Sequence, residues 1–297
     1  MQILITGGTG FIGQQLVAKL AAEHQLTLLT RDVHKSQVKL GTRHHYISQL
    51  DQLANLDAFD AVINLAGEPI VGKRWTKLQK QRICDSRWDI TRQLTALING
   101  SHNPPTVFIS ASAIGYYGRQ GSQAIDENAV VHEEFSHHIC SEWERLANQA
   151  NDHTRVCIIR IGIVLGLGGG ALGKMLPPFK LGVGGPIGHG RQGMSWIHIH
   201  DLLSLISFLL TNEHCHGVFN ATAPNPVSNA EFAKSLGHVL GKPAIIPTPP
   251  LALRLAMGEM CELLTEGQYV VPSRALKAGF HFNYPFLDQA LNQLFRK

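Results

Sequence analysis

Charge is scarce in this 297-residue chain: Asp, Glu, Lys and Arg together make up 16% of it, against roughly 25% in an average soluble protein. Combined with 44% apolar residues, that scarcity excludes a disordered chain and a coiled coil. Single-sign charge is missing too. The net charge is +4 and no Lys/Arg run occurs, so nothing calls for a nucleic-acid partner. The five cysteines are odd in number, widely spaced and without a CxxC pair, which excludes a disulfide framework and a Cys-rich zinc site. Met1 leads straight into an apolar strand, with no basic leader or cleavage signal. The longest apolar stretches, such as Leu205-Ile206 and Phe208-Leu209-Leu210, are far too short to span a bilayer. The expectation is a reduced, cytoplasmic protein, monomer or homodimer, with neither nucleic acid nor a membrane as partner.

What is present is an alternation. Ile3-Leu4-Ile5, Leu26 to Leu29, Ala61 to Leu65, Thr106 to Ile109 and Val156 to Ile159 read as short buried strands. Helical patterns at Phe11 to Leu20 and around 77–99 and 133–150 lie between them. Such alternation predicts an α/β fold, a doubly wound parallel sheet covered by helices on both faces, over residues 1–165. Gly and Pro then crowd 166–193, where a helix is expected around Leu172 to Leu181. A helix at Asp201 to Leu210 is expected to take Asp201 as its N-cap, and Ser228 to Glu231 forms a capping box opening a helix to Leu240. Residues 166–297 read as a smaller, discontinuous α/β lobe forming a cleft with the first, with segments around 194–222 contributing to the large sheet.

The strongest motif follows the first strand: Gly7-Gly8-Thr9-Gly10-Phe11-Ile12-Gly13 opens a helix. Its glycines permit a tight turn and a backbone that a pyrophosphate can approach, and the helix offers free N–H groups. A carboxylate usually ends the second strand of an NAD site; here Thr30-Arg31 stands instead. A guanidinium can pair with a 2′-phosphate, so NADP(H) is favoured. Asp32 is the counter-indication, since a slip of one residue restores the acid. Asn64-Leu65-Ala66-Gly67-Glu68 closes the next strand with small residues where a ribose or nicotinamide would pass. Gly168 to Lys174 fits GxxxxGK, but Met175 replaces the magnesium-binding hydroxyl. His198 and His200 lack a third ligand at zinc-like spacing, so no metal is expected.

These stretches resemble the short-chain dehydrogenase/reductases, in their extended, epimerase-like branch. Ser110-Ala111-Ser112-Ala113 looks like the active-site serine strand, and Trp196 to Asp201 resembles the branch's "FIHVDD" stretch. Asn64 to Pro69, Ser86-Arg87, Ser112 to Gly118, Trp143-Glu144, Lys174 to Phe179 and Gly184 to Gly188 are more narrowly similar to an atypical "epimerase family protein" group, sometimes labelled cell-division-inhibitor homologues. The C-terminal stretch, 245–297, resembles the module that ends its members. The resemblance implies NADP(H) binding on a Rossmann-type fold. Arg87, Ser110 and Arg160 then join the cofactor contacts, Ser112 and Tyr117 the reacting group, and Lys174 and Trp196 the substrate.

The superfamily's Tyr-x-x-x-Lys pair is missing. Four residues beyond each of the five tyrosines stand Leu50, Gln120, Gly121, Ser273 and Asp288. In the segment where the pair belongs, either Phe135 and Ile139 or Ser136 and Cys140 hold its positions; His137 or His138 offers a replacement base, and at most one of them can face the cleft. Met194 and Ser195 stand where nucleotide-sugar enzymes carry an arginine. Two functions follow. One is an NADP(H)-dependent epimerase-like oxidoreductase acting on a small polar, sugar-like molecule. The other is a catalytically silent NADPH-binding sensor or regulator, linked to cell division by the group's label.

Overall fold

Ile3 and Ile5 point to one side of a sheet and Leu4 to the other. In the computed structural model of the chain, which describes residues 1–295, both sides are covered. The first half runs β1 (Gln2–Thr6), α1 (Phe11–Leu20), β2 (Gln25–Leu29), α2 (Val33–Leu40), β3 (His45–Ile47), β4 (Ala61–Asn64), α3 (Lys77–Asn99), β5 (Val107–Ala113), β6 (Ala124–Ile125), α4 (Phe135–Asn148), β7 (Arg155–Ile161) and β8 (Ile163–Leu165). The second half continues α5 (Gly170–Lys180), β9 (Gly193–Met194), β10 (Trp196–His198), α6 (Ile199–Thr211), β11 (Gly217–Ala221), β12 (Val227–Ser228), α7 (Asn229–Leu240), α8 (Pro250–Met257), α9 (Glu262–Thr265), β13 (Tyr269–Val270), α10 (Ser273–Lys277) and α11 (Leu287–Phe295).

Seven parallel strands form the central sheet in the order β11-β7-β5-β4-β1-β2-β3. Strand order reverses between β1 and β4, which opens a crevice beyond their carboxyl ends. Ile3, Ile5, Ile109 and Ile159 pack under α1 and α6, while Leu4, Val62, Phe108 and Ile158 pack under α3 and α4. Burial on both faces is why these strands are continuously apolar rather than alternating. This is a Rossmann-type α/β fold. A separate core of Leu172, Phe179, Trp196, Phe232, Leu236 and Leu291 binds α5, α7 and α11 into the smaller lobe.

The C-terminal stretch is tied back to the rest of the fold, outside the large sheet itself. Strand β13 pairs in parallel with β6. The Ser195 hydroxyl donates to Gln268 O at 2.7 Å and accepts from Val270 N at 2.7 Å. Asn220 Nδ2 donates to Val271 O at 3.0 Å. Asp201 is not the N-cap of α6. His198 takes that position, and the buried Asp201 carboxylate accepts from the backbone N–H groups of Asn283 and Tyr284 at 2.9 Å each. Proximity in sequence favoured a local cap; a long-range pair of donors took the acid instead. The Ser228–Glu231 capping box of α7 is formed.

His198 is fully buried. Its Nδ1 accepts from His200 N at 3.2 Å and its Nε2 donates to Gln293 Oε1 at 2.9 Å, an arrangement only the neutral ring satisfies. Burial pushes its pKa down to about 4. Because the folded value lies below the unfolded one, its contribution is present above pH 6.5 and is lost as the pH falls through 4. Between pH 7 and 4.5 the wild type should lose about 2 kcal/mol more than His198→Gln, measured by urea unfolding; identical pH slopes would exclude this ring as the source.

Candidate functional site

The loop between β1 and α1 is shaped by what glycine permits. Gly7 sits at φ +70° with its Cα side against Leu65, where a Cβ would lie 2.5 Å from the carbonyl oxygen. At Gly13 a Cβ would lie 2.2 Å from Gly7 O, so α1 can approach the strand only without a side chain. Gly10 is exposed and differs: a Cβ there meets only Gly7 O, at 3.2 Å, and otherwise enters open space. No side chain caps α1 and its first turn carries no acid, so its leading N–H groups face that space unspent. Thr9 is held by Lys39 Nζ, which donates to its carbonyl at 2.9 Å. Phe11 supports Gly166, Gly169 and Gly170, and Ile12 packs against the main core.

At the exit of β2, Thr30 bonds the Ser36 hydroxyl at 2.6 Å. Asp32 is the N-cap of α2: it accepts from Lys35 N at 3.0 Å and pairs with Lys35 Nζ at 2.9 Å. The Lys35 amide holds the Asp32 carboxyl below its usual range. Arg31 is exposed and takes no ion pair among the described residues. The acid beside the arginine is thus committed to helix capping, and the guanidinium is free.

Beyond β4, the buried Asn64 accepts from Thr6 Oγ1 at 2.6 Å and donates to Thr91 Oγ1 at 2.8 Å. It braces the loop rather than facing a ligand; the backbone of Leu65, Ala66 and Gly67 forms the surface. The Arg87 guanidinium lies under Gly67, donates to Glu68 O at 3.0 Å and covers the Trp143 ring at 5.3 Å. Burial lowers its pKa. Glu68 pairs with Lys73 at 2.9 Å, which holds its carboxyl below the ordinary range, and Arg31 adds to that field.

At the end of β5 the side chains are consumed by one another. Ser112 Oγ donates to Glu144 Oε1 at 2.6 Å. Arg160 grips the same carboxylate in bidentate fashion, Nε to Oε1 at 2.8 Å and Nη2 to Oε2 at 2.8 Å. Its Nη1 donates to the Tyr117 hydroxyl at 3.0 Å, and that hydroxyl donates to Asn220 Oδ1 at 2.7 Å. The guanidinium also covers the Tyr116 ring at 3.4 Å. Burial pushes the Tyr117 phenol up to about 12. Expectations therefore change here: Arg160 turns to Glu144 and Tyr117 instead of the cofactor crevice, and Tyr117 is fully buried with its proton held. Ser110 is buried in the strand. Trp196 is fully buried in the smaller lobe's core, which leaves it no face toward a substrate.

Of the two alignments of α4, Ser136 and Cys140 face β5. Ser136 lies under Gly115, and the Cys140 thiol lies beside Ser112 and is pushed up to about 11 by burial. Phe135 packs edge-on to Trp75 instead. His137 Nδ1 bonds Tyr116 O at 2.5 Å, and His138 is exposed against Trp88. Glu144 completes this cluster, and its signal in the sequence is a lone carboxylate on the apolar stripe of Ile139, Cys140, Trp143 and Ala147.

Polar contacts tie the smaller lobe to the segment that follows β4. Lys174 Nζ donates to Val71 O at 2.6 Å, and Arg74 Nη2 donates to Leu255 O at 2.9 Å. Lys80 pairs with Glu259. Trp75, Ile83, Ile139 and Met260 form an apolar joint between the two halves.

This geometry agrees with sequence and structure comparisons. The NAD dependent epimerase/dehydratase family matches residues 3–221, and a domain of unknown function, DUF1731, matches 248–294. The chain is 42% identical to a chloroplastic epimerase family protein SDR39U1 homolog of Arabidopsis thaliana, over 99% of this chain and 86% of that protein. It is 37% identical to the human epimerase family protein SDR39U1, over 99% of each. The crystal structure of human SDR39U1 isoform 2 with NADPH superposes with a TM-score of 0.92, at 36% identity and over 100% of both chains. A UDP-glucuronic acid 4-epimerase from Bacillus cereus, at 19% identity and TM-score 0.79 over 99% of this chain and 98% of that one, shares the fold. By sequence and by architecture, the chain belongs to the NAD dependent epimerase/dehydratase family, within its group of atypical epimerase family proteins.

Proposed function

We propose that the chain binds NADPH along the carboxyl edge of its sheet and acts as an epimerase-like oxidoreductase on a small polar molecule. The observation that carries the cofactor choice is the commitment of Asp32 to capping α2 beside an unpaired Arg31. The pyrophosphate rests on the Gly7–Gly13 loop and the uncapped start of α1. Arg31, with Thr30, takes the 2′-phosphate. The backbone from Leu65 to Glu68, braced by Asn64 and Arg87, lines the path toward the nicotinamide. The human relative crystallised with NADPH supports the same choice.

When bound, NADPH supplies a hydride. The chain's own groups act mainly by holding and excluding. Lys174, Arg74 and Lys80 hold the two lobes together, and Lys174 stands where a polar substrate would enter. Ser112 gives its proton to Glu144, so toward any neighbour it offers lone pairs only and accepts rather than donates. The same fact favours the second reading, a silent NADPH sensor: neither Ser112 nor Tyr117 has a proton to give, and Cys140 stands where a lysine would be needed.

Calorimetric titration with NADPH and NADH tests the cofactor assignment. Arg31→Ala should weaken NADPH at least about tenfold, or 1.4 kcal/mol, and leave NADH within about twofold. Equal losses would remove the 2′-phosphate role. Single-turnover loss of NADPH absorbance against a carbonyl panel then separates the readings: oxidation supports the oxidoreductase, and tight binding without oxidation supports the sensor.

A further inference from the structure

Beyond the crevice, the smaller lobe carries an apolar face that none of the described residues covers. Leu181 and Val183 follow α5, Ile245 and Ile246 lie in the connector before α8, and Leu251 and Leu255 stand one turn apart on α8; Ile245 is 80% exposed, Leu181 78% and Leu255 71%. The segments that carry these residues run side by side. Thr248 N donates to Pro186 O at 2.8 Å, Gly188 N to Thr248 O at 3.0 Å, and Gly185 lies against the Ile246 backbone. The inner side of α8 is fixed by Arg74 and by Met257, which packs on the Trp75 joint. Its outer side is therefore held out to solvent by the fold.

The segments that build this face carry charge of one sign. No Asp or Glu occurs between residues 162 and 200, or between 232 and 258. Lys180, Lys242 and Arg254 adjoin the apolar residues, are exposed, and take no ion pair among the described residues. A second copy meeting this face about a two-fold axis would set the basic rim against itself. A nucleic acid would use the rim and leave the aliphatic side chains in water.

We propose that this face is a peripheral docking surface for an anionic lipid bilayer. Leu251, Leu255 and the Ile245-Ile246 pair enter the headgroup–acyl boundary, and Lys180, Lys242 and Arg254 meet the lipid phosphates. The described helices include none long and apolar enough to cross a membrane; attachment is to the surface. The proposal departs from the expectation of no membrane partner, which rested on run lengths and could not register an apolar face assembled from three segments.

The test is sedimentation of the full chain with phosphatidylcholine vesicles, with and without about one third phosphatidylglycerol. Binding is expected to the anionic vesicles only and to be released by about 0.5 M salt. Leu251→Asp/Leu255→Asp should lower the partition coefficient at least about tenfold, and Lys180→Ser/Lys242→Ser several-fold, with thermal midpoints unchanged because all four residues are exposed. Absence of binding to anionic vesicles overturns the proposal, as does binding indifferent to the leucine variant. A wild-type dimer by light scattering that the leucine variant turns into a monomer also overturns it, and assigns the face to self-association.

Discussion

Gly10→Val is expected to leave the protein folded and to weaken NADPH at least about a hundredfold, close to 3 kcal/mol at ~1.4 kcal/mol per decade. The backbone at Gly10 is extended, φ −72° and ψ 173°, a conformation valine adopts without strain. The only neighbour a Cβ meets is Gly7 O at 3.2 Å, so the branched side chain projects into the space in front of α1. Gly13→Ala provides the contrast. Its Cβ would lie 2.2 Å from Gly7 O and 2.7 Å from Gly8 Cα, both backbone atoms, so that variant should lose several kcal/mol of stability by about the mechanism of core overpacking. Calorimetry with NADPH, paired with urea unfolding, reads both. A Gly10→Val protein that is folded and binds normally would move the pyrophosphate away from this loop.

The second large effect lies in the buried pair. Arg160→Met or Glu144→Leu should each cost about 3–5 kcal/mol, because each strands a charge away from water. Arg160 and Glu144 are almost wholly buried and share two hydrogen bonds of 2.8 Å. Removing both together should restore much of the loss, since well-packed apolar residues can replace a buried pair at little net cost. Urea midpoints of the two single variants and the double variant decide this. Single variants within about 1 kcal/mol of the wild type would show that the carboxylate and guanidinium reach water when parted.

Much of the fold was legible because its signals are local. Apolar triplets such as Ile3-Leu4-Ile5, the glycine spacing from Gly7 to Gly13 and the Ser228–Glu231 box each depend on residues within one turn or one strand. The features that sequence reading misplaced join distant residues. Asp201 reads as a cap until Asn283 and Tyr284 are seen to donate to it. Arg160 lies at the end of a strand beside the crevice, yet turns to Glu144, Tyr117 and the loop around Glu127. Trp196 reads as a substrate contact by resemblance; its ring instead fills a core made from α5, α7 and α11. Asp32 shows the reverse. The acid that argued against NADP(H) accepts a hydrogen bond from an amide three residues on, visible only when the start of α2 is fixed.

The attachment of the C-terminal stretch to earlier elements sets an order of events during synthesis. Residues up to 221 carry every strand of the large sheet, yet Asp201 waits for Asn283 and Tyr284, and Ser195 for Val270. At roughly 5–20 residues per second on the ribosome, those partners follow several seconds later. During that interval a nascent chain holds a carboxylate in an apolar setting without its donors. A gene truncated after the last sheet strand would therefore yield a chain arrested at this stage, a substrate for chaperones and proteases rather than a smaller working domain.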